Sequence, residues 1–106
     1  GAIYAKEKYG VIDESILKAI EFHTTGRPAM SMLEKIVFIA DYIEPSRSFV
    51  GIQVIRGLAV KDLDKSIRMA MDNTIKYLTD KHKLIHIDTL KARNYLLLKE
   101  KSEINV

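Results

Sequence analysis

The residues best equipped for chemistry lie in two short stretches, His23-Thr24-Thr25-Gly26-Arg27-Pro28 and Asp41-Tyr42-Ile43-Glu44-Pro45. They put an imidazole, two hydroxyls, a guanidinium and two carboxylates at the ends of two expected helices. Neutral imidazole and carboxylate are ligand types for divalent Fe, Mn, Zn or Ni. Arg27, and Arg47 just after the second stretch, carry planar forks that match phosphate oxygens two at a time. Thr24, Thr25 and the Gly26 amide add donors beside Arg27. Each of these residues also has a plain structural role open to it. A histidine ending an apolar stripe serves as a hydrogen-bonded core residue, and both arginines serve as solvated loop residues. Glu44 reads as a helix-end carboxylate rather than a general base. His82 and His86 have the four-residue spacing of a helical metal pair, but Lys83 and Ile87-Asp88 place them in a loop. Asn73, Arg93 and Asn94 read as structural hydrogen-bonders. Simple antiparallel packing would leave His23 and Asp41 at opposite ends, so joining them requires crossed helices or further groups between them.

The elements that position these residues are all helical. Residues 1–9 read as the end of a helix stopped by Gly10. Asp13 reads as an N-cap, with Glu14 in the first turn. Ile16, Leu17, Ile20 and His23 share a stripe, which puts His23 at the end of a buried face. Residues 24–30 form a loop: Gly26 permits a positive φ, and Pro28 steers Arg27 away from helix. Ser31-Met32-Leu33-Glu34 is a capping box. Leu33, Ile36, Val37, Ala40 and Ile43 mark the inward face of the next helix, with Asp41 one turn beyond Val37 on its edge. Pro45 ends it. A short helix is expected over Ile52–Leu58 and a long one from about Asp62 to Thr79, with a stripe of Leu63, Ile67, Ala70, Met71, Thr74 and Leu78. Residues 81–87 are irregular. Asp88 or Thr89 caps a last helix whose Leu90, Asn94, Leu97 and Leu98 face one way, and the tail from Lys99 frays. No segment sustains a period of two, so the fold class is all-α.

The chain has 106 residues, 47% of them apolar. That makes one domain, 1–106, able to bury roughly 65% of its extended surface. There is no Cys, which removes thiolate chemistry and fits a reducing, cytoplasmic setting. The longest uncharged apolar run, Ile36 to Ala40, is far below the ~20 residues of a membrane span. The start of the chain lacks the apolar core of a signal peptide. Net charge is +3, with Lys and Arg spread rather than grouped. That argues against a nucleic-acid partner, and an enzyme handling nucleotide polyanions accounts for the same bias.

Taken together, Ala19-Ile20-Glu21-Phe22-His23-Thr24-Thr25-Gly26-Arg27-Pro28, Leu33-Glu34-Lys35-Ile36 and Ala40-Asp41-Tyr42-Ile43-Glu44-Pro45-Ser46-Arg47 resemble the YqeK-type branch of the HD-domain phosphohydrolases. Asp62-Leu63-Asp64, Asn73-Thr74 and Leu84-Ile85-His86 extend the resemblance over nearly the whole chain. It implies an HD-type helical bundle holding iron or another divalent metal pair, and symmetrical hydrolysis of diadenosine tetraphosphate to two ADP. On such a site metal ions and arginine neutralise the charge that develops at phosphorus. His23 matches a late histidine ligand and Asp41 the final aspartate ligand. Thr24 to Arg27 and the stretch Tyr42, Ile43, Glu44, Pro45 and Arg47 would line the nucleotide pocket.

One departure is large. The family's first metal histidine, its adjacent His-Asp pair and a further histidine are expected upstream of Gly1. The chain therefore reads as the C-terminal part of such a protein, with an incomplete bundle and two of the ligands, and is expected to be inactive alone. A non-catalytic helical module binding nucleotide or protein is the alternative, as is a hydrolase for another nucleotide. Met30, Met32, Phe49 and Val50 are expected to be exposed and to offer a surface for a homodimer or for the missing helices.

Overall fold

The computed structural model describes residues 14–49 and 51–104. The helix expected over 1–9, the Gly10 stop, the Asp13 cap and Val50 lie outside the described residues. Among these there are five helices and no strand: α1 (Glu14–Phe22), α2 (Met32–Tyr42), α3 (Ile52–Lys61), α4 (Leu63–Asp80) and α5 (Ile87–Ile104). The all-α expectation holds. No helix among the described residues is long and apolar enough to cross a membrane.

Helix α4 is the axis of the bundle. It packs against α2, α3 and α5, while α1 packs on α2. Its stripe of Ile67, Ala70 and Met71 is fully buried, as its 3.6-residue period requires. Met30, Phe38, Ile39, Ile55, Ala92 and Leu96 close the core around it. Asp62 joins α3 to α4 as a single residue. Its amide donates to Leu58 O, ending α3, and its carboxylate accepts from the Lys65 amide, starting α4. Charged forks lock α5 onto α4. Arg68 reaches both Glu100 oxygens at 2.8 and 3.1 Å and Asp72 at 2.9 Å, and Arg93 reaches Asp72 at 2.7 Å. The Glu100 carboxylate is the chief cause of the raised Arg68 pKa, with burial opposing it.

The connection 23–31 is the least regular part and the most tightly specified. Gly26 has φ +74°, and its amide donates to Phe22 O at 2.9 Å. A Cβ there would stand 2.5 Å from Met71 Cε and 3.5 Å from Ala92 Cβ, so only glycine fits without strain. Thr89 of α5 donates its hydroxyl to Thr25 O at 2.9 Å. The capping box forms as expected: Ser31 Oγ accepts from the Glu34 amide, and Glu34 Oε2 accepts from the Ser31 amide at 2.7 Å.

Several inward faces differ from the expected ones. On α2 the buried residues are Glu34, Phe38 and Ile39, while Leu33 and Ile36 are exposed. The face is turned because Glu34, 1% exposed, is satisfied inside by Arg27 and Ser31. On α5 Thr89, Ala92 and Leu96 face inward and Leu98 is exposed, since small Ala92 is what fits beside Gly26. Helix α5 also begins at Ile87, ahead of the expected cap at Asp88 or Thr89, and runs to Ile104 rather than fraying from Lys99. On α1 only Ala19 is buried, and Ile16 is exposed. Met30 belongs to the core rather than the surface, whereas Met32 and Phe49 are exposed as expected.

Burial by itself would push the Glu34 carboxyl up. The Arg27 guanidinium and the Ser31 amide and hydroxyl outweigh it and hold the carboxyl at about 2, against an ordinary 4.5. A pKa lowered by folding stabilises the fold fully above the unfolded value, and the stabilisation disappears as pH falls from 4.5 towards 2. It amounts to something on the order of 3 kcal/mol. Urea titrations at stepped pH should therefore show stability falling through that window, and Glu34→Gln should flatten the fall while lowering stability at neutral pH by a similar amount. Gly26→Ala should cost about 1–3 kcal/mol in the same titrations, from the positive φ and the clash with Met71.

Candidate functional site

Helix α1 ends at Phe22 and α2 at Tyr42, yet His23 and Asp41 line one cavity of about 720 Å³. The connection between the helices makes this meeting feasible. It has nine residues, 23–31, and can span ~30 Å extended, while α2 is only ~16 Å long. The chain can return along the whole of α2, so His23 is not confined to the end opposite Asp41. The far wall is the C-terminal half of α4: Asn73, Thr74, Lys76, Tyr77, Leu78 and Asp80.

His23 is held in one orientation. Its Nδ1 lies 2.6 Å from Ile20 O and must carry the proton it donates there. In the neutral ring Nε2 then bears the lone pair, 3.2 Å from the Thr24 hydroxyl. A histidine whose Nδ1–H is engaged by a backbone carbonyl presents Nε2 as a base or a metal ligand. Asp41 is exposed at the cavity edge, with Arg47 Nη2 3.5 Å from its Oδ2. Arg47 Nε also lies 3.8 Å from Glu44 Oε1. Both contacts are long and half exposed, so the guanidinium is loosely held. Glu44 has a firmer partner in Ser46, whose hydroxyl and amide both donate to it. The Ser46 hydroxyl leads the interactions that hold the Glu44 carboxyl below its usual range.

Tyr42 and Phe49 stack at 5.3 Å between ring centroids, with 21° between their planes, and both line the cavity. Stacked rings with an open edge make an apolar platform for a planar group.

Of the residues singled out in the sequence, His23, Thr24, Asp41, Tyr42 and Arg47 share this cavity. Thr25, Gly26, Ile43, Glu44 and Pro45 do not line it. Arg27 is turned elsewhere: it grips Glu34 with two nitrogens at 2.6 and 3.1 Å and lies over the Phe22 ring at 4.8 Å. It borders a separate cavity of about 240 Å³ with Lys35, Tyr95 and Lys99. Phe49, Asn73, Thr74, Lys76 and Tyr77 are wall residues that sequence reasoning did not assign to the site. Asn73 carried the one available signal, a polar residue on a packed helix beside the Asn73-Thr74 pair of the resemblance. His82 and His86 are away from the cavity in the α4–α5 loop, where His86 Nδ1 accepts from the Asp88 amide. Among the described residues no three His, Cys, Asp or Glu side chains cluster so as to hold a metal ion. His23 Nε2 and the Asp41 carboxylate are suitable donor types, and a complete coordination sphere needs more of them.

No protein-family model matches the chain. It is 52% identical over 101 residues to a symmetrical bis(5'-nucleosyl)-tetraphosphatase of Halalkalibacterium halodurans, covering 95% of this chain and 54% of that protein. It is 42% identical over 97 residues to the protein of the same name in Bacillus subtilis, covering 92% of this chain and 52% of the relative. The fold superposes with a TM-score of 0.88 and 54% identity on a crystal structure from Clostridium acetobutylicum, covering 92% of this chain and 52% of that one. That protein is described as a predicted HD superfamily hydrolase involved in NAD metabolism. The chain thus spans about half the length of the curated relatives it matches. Over that half, its sequence is similar to the two tetraphosphatases and its helices to the HD superfamily hydrolase, in line with the resemblance to the YqeK-type branch of the HD-domain family.

Proposed function

We propose that the cavity between the ends of α1 and α2 and the second half of α4 is the nucleotide-facing part of a phosphohydrolase site. The substrate would be a dinucleoside tetraphosphate cut symmetrically to nucleoside diphosphates. The observation that carries this reading is the meeting of His23, Thr24, Asp41 and Arg47 with the stacked Tyr42–Phe49 pair in one cavity. Its volume, about 720 Å³, lies within the ~300–1,000 Å³ usual for small-molecule sites. The names of the two tetraphosphatases support the substrate class.

In this reading each residue has a definite task. Arg47 leaves its loose contacts with Asp41 and Glu44 and places its fork on phosphate oxygens, opposing the charge that grows in the transition state. The Thr24 hydroxyl donates to a further phosphate oxygen. Tyr42 and Phe49 take the base or ribose face. His23 Nε2 and the Asp41 carboxylate would hold a divalent metal, iron in the first instance, which supplies Lewis-acid stabilisation when bound. The remaining donors would come from the half of the relatives' length that this chain does not span. Arg27 acts at a distance, fixing the loop that presents His23 and Thr24. We place the reaction in the cytoplasm, where free nucleotides are handled.

The test is ADP release from diadenosine tetraphosphate with ferrous ion, measured on a protein carrying both halves and on the 106-residue chain alone. Asp41→Asn in the former should lower turnover by at least about 100-fold, with helical content unchanged. Arg47→Ala should raise KM by roughly tenfold, the loss of one charge-assisted phosphate contact. Undiminished turnover by Asp41→Asn would remove Asp41 from the site. Binding of ADP without turnover by the two-half protein would leave a non-catalytic nucleotide module.

A further inference from the structure

The segment 43–49, which carries the cavity residues Arg47 and Phe49, is held by a residue that does not itself line the cavity. Arg56, on α3, donates Nε to Ile43 O at 3.0 Å, and its Nη2 donates to Glu44 O at 3.0 Å and to Arg47 O at 3.1 Å. A helix C-terminus leaves its last carbonyls without partners in the helix. Here one guanidinium serves the carbonyls of the α2 C-cap, Ile43, and of the loop beyond it. Its positive charge also sits where the α2 dipole is negative.

The anchor is rigid. Arg56 follows Ile55, fully buried, and shares its helix with buried Ile52. The two ends of the loop are pinned separately: the Arg47 amide donates to Glu44 O at 3.0 Å, and the Ile52 amide donates to Phe49 O at 3.2 Å. Between those points the side chains that matter are Arg47, aimed back at Asp41, and Phe49, laid on Tyr42. Arg47 stands on backbone that Arg56 bonds directly, and Phe49 follows two residues on.

We propose that Arg56 is a positioning residue for nucleotide binding: by holding three carbonyls of the 43–47 backbone, it fixes where Arg47 and Phe49 meet the phosphate and the base. This rests on the nucleotide reading above for what the loop binds, but not for the way the loop is held. A lysine cannot replace it. An ammonium on a flexible stem offers no planar fork able to reach three fixed carbonyls at once.

Two readouts on the 106-residue chain test this, with ADP as the probe. Backbone amide exchange needs no ligand. In Arg56→Lys and Arg56→Ala, exchange at Ser46, Arg47 and Ile52, the loop amides that have partners, should speed up by at least about tenfold, the loss of one hydrogen bond's worth of protection, while amides of Ile67 to Met71 keep their protection. The ADP dissociation constant should rise by about tenfold in both variants, and millimolar methylguanidinium should recover part of it in Arg56→Ala. Unchanged exchange at Ser46, Arg47 and Ile52, or a rise of equal size throughout α4, would overturn the proposal, the latter by making Arg56 a general stabiliser. So would ADP binding in Arg56→Ala equal to that of the parent. Failure of the parent itself to bind ADP, with the loop still loosened by substitution, would overturn the nucleotide role and leave Arg56 as the loop's anchor only.

Discussion

A carboxylate removed from water must find donors inside the protein or give up its charge. Glu34 finds them in two nitrogens of Arg27 and in the amide of Ser31. Because those donors belong to the connection before α2, one buried charge fixes the start of a helix and the path of the chain leading to it. Arg27 is thereby pinned, and Gly26 is seated under Met71 and Ala92. From there His23 and Thr24 are delivered to the cavity. A neutral, apolar residue at 34 would fill the space but could not hold the loop, so the pair acts as a device for specificity of path as much as for stability.

The rest of the site follows from where helices stop. Both α1 and α2 end at the cavity, and helix ends are where side chains and unpaired backbone groups can gather without breaking a ladder of hydrogen bonds. Helix α4 supplies the continuous wall opposite, because its inner stripe is already committed to the core and its last turns project beyond it. Two arginines divide the work on the 43–49 loop. Arg56 is tied to three carbonyls at 3.0 to 3.1 Å, whereas Arg47 has two ionic contacts at 3.5 and 3.8 Å. A guanidinium that binds an incoming phosphate must be the second kind, and the scaffold beneath it must be the first.

Local signals were readable in the sequence wherever a single residue type decides a backbone geometry. Gly26, the Ser31–Glu34 capping box, the Asp62 cap and the α4 stripe are found as expected. The grouping of His23 with Asp41 was visible as chemistry, and the structure supplies the path that joins them. Two kinds of information were out of reach. One is a polar residue's burial: Glu34 counts as outward-facing in any hydropathy pattern, so the α2 face was set on Leu33 and Ile36 rather than on Glu34 and Phe38. The other is a long-range partner. Nothing near Arg27 in sequence says that Glu34 will claim two of its nitrogens, and nothing near Arg56 points to three carbonyls up to thirteen residues away. Arginine forks pair across space, and their partners leave no periodicity to read.

The most direct measurement is a map of ADP binding by amide and methyl chemical shifts on the 106-residue chain. A nucleotide site in the larger cavity requires concentration-dependent shifts at Thr24, Asp41, Tyr42, Arg47, Phe49, Asn73 and Tyr77, with Lys35, Tyr95 and Lys99 left where they were. Shifts gathered instead around Arg27, Lys35, Tyr95 and Lys99, or none at millimolar ADP, would contradict a nucleotide site between α1, α2 and α4.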